Sequence, residues 1–279
     1  RKGKEAPEQR RPAVPGVKPK FKTVANQRSG PQSTPAAKGG LARLSGKRGS
    51  ILSRLEDRLS GGRFRWLNEQ LYTTSGSSAL SMMNRDPKLM SEYHAGFAAQ
   101  TASWPQRPLD LAAAWLRKHS RAWTVADIGC GEAELARLAP QKNVHSFDLL
   151  ATAPGVVACD MTALPLADAS VDAAVFCLSL MGTDYGRAVE EAVRAVVPGG
   201  YVWIAEVASR FASEDKDSRK GLLGAFLAAC TARGLVLEHQ DLTNTHFVVL
   251  VLKKAQQNAG GKAKRSPWPS LRPCLYRKR

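Results

Sequence analysis

The segment from Val125 to Glu132 constrains the fold more than any other part of the chain. Its letters, VADIGCGE, run from an apolar stretch into an acid and two glycines, and a helical pattern follows. Glycines let the backbone turn sharply and approach a ligand closely, and the N-terminus of the next helix then points at that ligand. The segment therefore predicts the strand-to-helix turn of an open α/β sheet, with a nucleotide cofactor bound at the turn.

The spacing of the glycines separates two kinds of cofactor. A dinucleotide-binding turn would place a third glycine where this chain has Glu134, whose carboxylate would face the negative charge of a pyrophosphate. S-adenosylmethionine has no phosphate, so the acid-x-Gly-x-Gly pattern favours this cofactor. Asp127, Gly129 and Gly131 are accordingly predicted to bind it.

Two further acids follow at the ends of short apolar runs. Asp148 ends the run from residue 144, about twenty residues beyond the glycines, where an acid can accept hydrogen bonds from both ribose hydroxyls. Asp160 follows the run from residue 156; it could accept from the adenine amino group while Met161 packs on the ring. A single acid of this kind is more often a helix cap or a turn residue. Together the acids mark the edge where open α/β sheets bind ligands.

The later pattern completes the predicted sheet. A nearly continuous apolar run at 171–178 is typical of a buried central strand. Asp184 is predicted to cap the following helix, and Glu206 lies near the end of a strand at 201–207. The runs 235–237 and 247–252, joined without a helix, predict an antiparallel hairpin. The sequence therefore predicts a seven-stranded Rossmann-like sheet of the class I methyltransferase type.

Helical signals precede this sheet. Asp86-Pro87 is typical of a helix start, and Leu89, Tyr93 and Phe97 then recur on one face. We expect residues 63–104 to form a helical lid over the cofactor. His94 lies beside the apolar stripe, and spacing alone predicts a packed or surface histidine.

Charge is concentrated at the two ends of the chain. Of the net charge of +17, residues 1–62 contribute +11 and residues 253–279 contribute +9, whereas the part between them carries −3. We therefore predict a basic disordered tail at 1–62, the lid at 63–104, a cofactor-binding core at 105–252 and a basic tail at 253–279. Cationic tails indicate a polyanionic partner such as nucleic acid. The alternative is that they only keep the protein soluble.

Other patterns narrow the function. The five cysteines are odd in number and form no C-x-x-C pair, so neither a disulfide framework nor a metal site is expected. No apolar run approaches the length of a membrane span, and no signal segment is seen, so we expect an intracellular protein without a membrane partner. The basic clusters at 262–265 and 277–279 are compatible with nuclear import or nucleolar retention.

Six strings resemble the ribosomal RNA-processing protein eight (nucleomethylin) family. They are FRWLNEQLY at 64–72, YHAGF at 93–97, WP at 104–105, FCLSLMGT at 176–183, DLTN at 241–244 and PCLY at 273–276. The resemblance implies a nucleolar, S-adenosylmethionine-dependent enzyme that makes N1-methyladenosine in large-subunit ribosomal RNA. The chain departs from the family pattern mainly in the N-terminal tail and in residues 215–221. These differences concern the partners and the target position in the RNA more than the chemistry.

The resemblance also implies a set of site residues. The cofactor pocket would be lined by His94, Gly129, Asp148, Asp160, Met161 and Cys177. For His94 the resemblance implies a cofactor contact, in place of the packed or surface histidine that spacing alone predicts. The implied partners are large-subunit ribosomal RNA, bound through the basic tails and the lid, and pre-ribosomal or chromatin proteins; we expect a monomer.

The residues after the fourth predicted strand bear on the methylated atom. An exocyclic-amine methyltransferase would have an Asn/Asp-Pro-Pro-aromatic turn there, but the chain has LSLM at 178–181. Covalent catalysis by a cysteine is disfavoured, since the strand cysteines suit packing or cofactor contact. Adenine N1 carries a lone pair at neutral pH, so its methylation needs alignment and stabilisation of a cationic product. Asp184 or Glu206 could supply that stabilisation, or either could cap a helix or pair locally.

Two classes of function remain open at this point. One is the ribosomal RNA methyltransferase just described. The other is a cofactor-binding nucleolar interaction protein that acts in ribosomal-DNA chromatin silencing or ribosome assembly. A methyltransferase for small molecules is disfavoured by the basic tails.

Overall fold

The computed structural model describes residues 45–212, 218–256 and 266–274. Seven strands form one sheet: β1 (Thr124–Ile128), β2 (Asn143–Asp148), β3 (Val156–Ala158), β4 (Val171–Cys177), β5 (Val196–Val207), β6 (Leu235–Asp241) and β7 (Phe247–Lys254). Seven α-helices accompany them: α1 (Ser45–Thr73), α2 (Gly76–Arg85), α3 (Lys88–Thr101), α4 (Pro108–Leu116), α5 (Glu134–Leu138), α6 (Tyr185–Ala195) and α7 (Ser218–Thr231). Within the described ranges, every helix is too short or too polar to cross a bilayer.

The strand order is β3-β2-β1-β4-β5-β7-β6, and only β7 runs antiparallel to its neighbours. The central strands β4 and β7 are apolar on both faces because helices cover both sides of the sheet. The predicted seven-stranded methyltransferase sheet and its closing antiparallel hairpin are thereby confirmed. The hairpin strands are longer than predicted, since they pair out to Asp241 and Lys254.

Two layers of helices bury the sheet. On one face α6 and α7 supply Val189, Ala192 and Phe226 to a core that also holds Phe176 of β4. On the other face α4 and α5 supply Leu116 and Leu135. Alternation along the strands divides the apolar side chains between these two cores. The helices leave the loops at the ends of the strands uncovered, so these loops can form a site.

Two boundaries differ from the sequence pattern for local reasons. β5 begins at Val196 rather than Tyr201, because Gly199 takes a left-handed conformation (φ +79°) and a register shift against β4 absorbs the extra residues. α5 begins at Glu134 rather than Glu132, because the glycine turn continues through Ala133 at φ +54°.

The first three helices share a separate apolar cluster. Phe64 and Leu67 of α1 pack with Met83 of α2 and with Leu89 of α3. Leu89 and Tyr93 of the expected stripe on α3 are buried and Phe97 is half-buried, whereas Trp66 of α1 is 46% exposed. α1 begins at Ser45 and thus crosses the boundary predicted at residue 62 between tail and lid. Residues 1–44 of the predicted tail lie outside the described residues.

Residues 266–274 pack against the core, although the sequence placed them in a basic tail. Trp268 lies directly over Gly186, where a Cβ atom would be 2.2 Å from the indole. Arg233 covers the other side of that ring at 4.2 Å. Farther along, the carbonyl of Cys274 accepts a hydrogen bond of 2.5 Å from Asn68 Nδ2 on α1. Apolar residues between the basic ones explain the difference, since Leu271 and Cys274 are also buried. The basic clusters at 262–265 and 277–279 lie outside the described residues.

We expect Trp268→Ala to destabilise the fold by about 2 kcal/mol, because it removes a large ring from a fitted contact over Gly186. Trp66→Ala is the matched control and should change stability by less than about 0.5 kcal/mol, since the Trp66 side chain is largely exposed. Urea unfolding followed by circular dichroism measures both. Equal stability of the two variants would show that the segment does not hold the fold.

Candidate active site

A cavity of about 720 Å³ opens at the edge of the sheet where β1, β2 and β4 end. α3 forms its opposite wall, and the segment before α4 closes one side. The carboxyl edge of a parallel sheet, at the point where strand order reverses, is where such folds bind ligands. Seven of the eight predicted cofactor residues line this cavity, namely His94, Asp127, Gly129, Gly131, Asp148, Met161 and Cys177.

The glycine turn after β1 is fixed by sterics and by backbone hydrogen bonds. Gly129 has φ +75° and Gly131 has φ +57°. The amides of Gly129 and Cys130 both donate to the carbonyl of Phe147 on β2, at 2.8 and 3.0 Å. A Cβ atom at position 129 would lie 2.3 Å from Cβ of Ser179. Position 129 therefore requires glycine for its conformation and also for its close contact with the end of β4.

Asp148 joins the end of β2 to this turn. Its Oδ2 accepts from the amide of Gly131 and its Oδ1 from the amide of Leu149, each at 2.7 Å. Burial raises the pKa of the Asp148 carboxyl, and the hydrogen bond from Gly131 and the nearby His94 oppose part of that rise. Each carboxylate oxygen keeps a further lone pair. Asp148 can therefore accept from ribose hydroxyls while it holds the turn.

Asp127 provides the test of whether the cavity fits S-adenosylmethionine. Its side chain is 1% exposed, and its Oδ2 has no hydrogen-bond partner among the described residues. Burial, and then the charge of Asp148, raise the pKa of Asp127 to about 7. A buried carboxylate without a donor is costly, so this atom suits a ligand that brings a cationic donor. The amino group of S-adenosylmethionine is such a donor, and the residues fit this cofactor.

Asp160 is the one predicted cofactor residue that does not line the cavity directly. Its Oδ1 accepts from the amide of Thr162 at 2.8 Å. The carboxylate lies behind Gly76, where a Cβ atom would be 3.1 Å from Oδ1, and Gly76 itself lines the cavity. Asp160 therefore lies one residue behind the surface of the cavity.

Asp184 and Glu206 are not among the residues that line the cavity, and both have other partners. The Asp184 carboxylate accepts from the amide of Gly76 at 3.0 and 3.2 Å, so it holds the start of α2 and does not cap α6 as the sequence predicted. Glu206 is fully buried and pairs with Arg210 at 2.9 Å.

The structure adds cavity residues that the sequence did not predict to line the cofactor site. Tyr93 donates its hydroxyl to Sδ of Met181 at 3.3 Å, and both side chains line the cavity. Trp104 and Arg107 line the side near the start of α4. Spacing along the chain does not predict these contacts, because they join α3, and the segment between α3 and α4, to loops that are distant in the sequence. The described residues include no cluster of side chains suited to a metal ion.

The sheet order, the glycine turn and the cavity at the carboxyl edge define a class I methyltransferase fold. Residues 50–279 match the family model described as "Hypothetical methyltransferase".

Among known proteins, "Ribosomal RNA-processing protein 8" of Arabidopsis thaliana is 42% identical over 84% of this chain and 79% of its own length. The protein of that name from Rattus norvegicus is 43% identical over 83% of this chain. The "25S rRNA (adenine(645)-N(1))-methyltransferase" of Schizosaccharomyces pombe is 39% identical over 82% of this chain and 73% of its own. The chain belongs to the Ribosomal RNA-processing protein 8 family. It spans 48% of the rat protein.

We expect Gly129→Ala to abolish binding of S-adenosylhomocysteine, because the added methyl group meets Ser179 and the turn must open. Gly155→Ala is the matched control: Gly155 has φ +86°, but a Cβ there meets nothing within 4 Å. The control should cost about 1 kcal/mol of stability from backbone strain alone and leave binding intact. Calorimetric titration and thermal unfolding separate these effects, and retained binding in Gly129→Ala would contradict the assignment of the turn.

We expect cofactor affinity to depend on pH through Asp127. Its pKa of about 7 means that the carboxylate is lost as pH falls through 7, and with it the partner of the ligand's amino group. The affinity for S-adenosylhomocysteine should fall by about tenfold from pH 8 to pH 6. Asp127→Asn should bind weakly at pH 8 and show a flat profile.

Adenosine provides the control for this titration, because it lacks the amino-acid part of S-adenosylhomocysteine and therefore its α-amino group. Its affinity should follow the same profile in Asp127→Asn as in the unchanged protein. A tenfold fall in the affinity for S-adenosylhomocysteine that persists in Asp127→Asn would assign the pH dependence to another group.

Proposed function

We propose that this protein is an S-adenosylmethionine-dependent methyltransferase that forms N1-methyladenosine in large-subunit ribosomal RNA. The observation that carries the proposal is the cavity at the carboxyl edge of the sheet, where the unpartnered Asp127 and the ribose-binding position of Asp148 meet. The Schizosaccharomyces pombe relative is named as an adenine-N1 methyltransferase of 25S rRNA, which supports the choice of substrate.

The proposed cofactor orientation follows the order of the strands. Asp160 and Met161 after β3 take the adenine, Asp148 on β2 takes the ribose, and Asp127 on β1 takes the amino group. His94 of α3 faces the turn, with Nε2 lying 3.8 Å from the position of a Cβ at Gly131. This orientation brings the reacting methyl group toward Cys177 at the end of β4.

The bound cofactor supplies a methyl group activated by its sulfonium. Adenine N1 offers a lone pair at neutral pH, so no residue has to remove a proton before attack, and the chain contributes alignment and exclusion of water. Apolar side chains suited to that role, including Tyr93, Leu178 and Met181, surround the end of β4. Burial raises the pKa of the Cys177 thiol far above neutrality, so Cys177 stays a thiol and forms no covalent adduct.

We propose that the RNA reaches this cavity across the lid, assisted by the basic ends of the chain. Arg85 and Lys88, at the junction of α2 and α3, are exposed near the rim. Phosphate contacts of this kind hold RNA without reading its sequence. A nucleolar location, a monomeric state and contacts with pre-ribosomal or chromatin proteins complete the proposal.

Methyl transfer from labelled S-adenosylmethionine to unmodified large-subunit ribosomal RNA tests the function. We expect a reverse-transcription stop at one adenosine with the unchanged protein. Asp148→Asn should reduce transfer by at least about a hundredfold, because it weakens the ribose contact and the bond to Gly131. Asp168→Asn is the matched control, since Asp168 is 81% exposed and lies away from the cavity.

Cofactor binding without transfer to intact or fragmented RNA would contradict the enzymatic proposal. It would favour a role as a cofactor-binding protein in ribosome assembly. A methyl group at an atom other than N1 would retain the enzyme but overturn the proposed substrate atom.

A further inference from the structure

Trp104 is the one tryptophan that lines the cavity among the described residues. It lies between α3 and α4 and is half-buried. Phe247, the first residue of β7, stacks behind it with ring centroids 5.8 Å apart and an angle of 22° between the planes. His246 lies at 5.1 Å. The indole is thus held by a second layer of rings while part of it faces the cavity.

The sheet order gives the position of Trp104 relative to the cofactor residues. Asp148 is on β2, Gly129 follows β1 and Cys177 ends β4. Beyond β4 come β5 and β7, where Phe247 pairs with the last residue of β5. Trp104, stacked on Phe247, therefore lies on the far side of Cys177 from the ribose-binding acid. This is the side from which a methyl acceptor must approach.

The charge next to Trp104 also suits a base that becomes cationic. Arg107, three residues along the chain from Trp104, also lines the cavity, and its guanidinium pairs with Glu134 at 2.7 Å. This pairing holds the Arg107 pKa above its usual value and places a carboxylate beside the positive charge. A methylated adenine carrying a positive charge would therefore meet a locally balanced pair and the electron-rich face of an indole.

We propose that Trp104 is the stacking platform for the adenine that receives the methyl group. The base is presented as an unpaired nucleotide of single-stranded or locally opened RNA, because stacking on an aromatic side chain requires a base that has left its own stack. This inference rests on the proposed function, of which it names the acceptor subsite. Binding to Trp104 aligns the base, and the same face stabilises the cationic product.

Steady-state kinetics on an unmodified ribosomal RNA fragment that contains the target adenosine test the platform with three variants. Trp104→Ala should lower kcat/KM for RNA by about tenfold or more, and Trp104→Phe should recover most of it, because phenylalanine keeps a face for stacking. The affinity for S-adenosylhomocysteine should stay within about twofold in both. Trp123→Ala is the matched control, since Trp123 is half-buried in a stack with His119 and does not line the cavity.

A binding measurement separates the platform from the chemistry. The probe is a short single-stranded RNA with 2-aminopurine at the target position, whose fluorescence falls when the base stacks. Quenching by the unchanged protein and by Trp104→Phe, but not by Trp104→Ala, supports the platform even if no methyl group is transferred. Full RNA methylation by Trp104→Ala would overturn the platform and leave the proposed function standing. An equal loss of cofactor affinity and RNA turnover would also overturn it, since the ring would then serve the cofactor or the fold.

Discussion

The hydrogen bonds between the turn after β1 and the end of β2 are the constraint on which the site depends. The carbonyl of Phe147 accepts two amides of the turn, and the Asp148 carboxylate accepts a third. These bonds place two buried acids close together, so that the charge of Asp148 adds to the burial that disfavours ionisation of Asp127. A cationic, hydroxyl-rich ligand relieves both costs at once, because it brings donors to carboxylates that the protein leaves only partly satisfied.

Local patterns in the sequence were sufficient for this part of the site. Strand ends, glycines of left-handed conformation and acids at fixed offsets are determined by a few neighbouring residues, so Asp127, Gly129 and Asp148 could be placed at one edge before the structure was known. The number of strands and the closing antiparallel hairpin followed from the same regularity. Contacts between distant segments are different. The stacking of Trp104 on Phe247 joins residues 143 positions apart, and no spacing rule reports it.

Tertiary partners decide the roles of Asp184 and Glu206. Their positions at strand and helix ends left open a charge-stabilising role, a helix cap or a local pair. Glu206 is buried with Arg210, whose guanidinium also donates to the carbonyl of Leu180 and lies 4.8 Å from the ring of Tyr72 on α1. The pair therefore links the end of β5, the loop after β4 and the first helix. A buried pair of this kind contributes more to a defined arrangement than to net stability.

The C-terminal segment extends the same arrangement. The carbonyl of Arg272 accepts from Arg210 Nε at 3.1 Å, and the carbonyl of Cys274 accepts from Asn68 on α1. One short stretch of chain thus connects the buried ion pair to the helix that begins the lid. Leu180, whose carbonyl accepts from Arg210, lies between the cavity residues Ser179 and Met181. The packing of the C-terminal segment therefore affects the shape of the cavity at the end of β4. The first helix and the cavity at the end of β4 are therefore parts of one packed unit, which suits the alignment that the proposed methyl transfer requires.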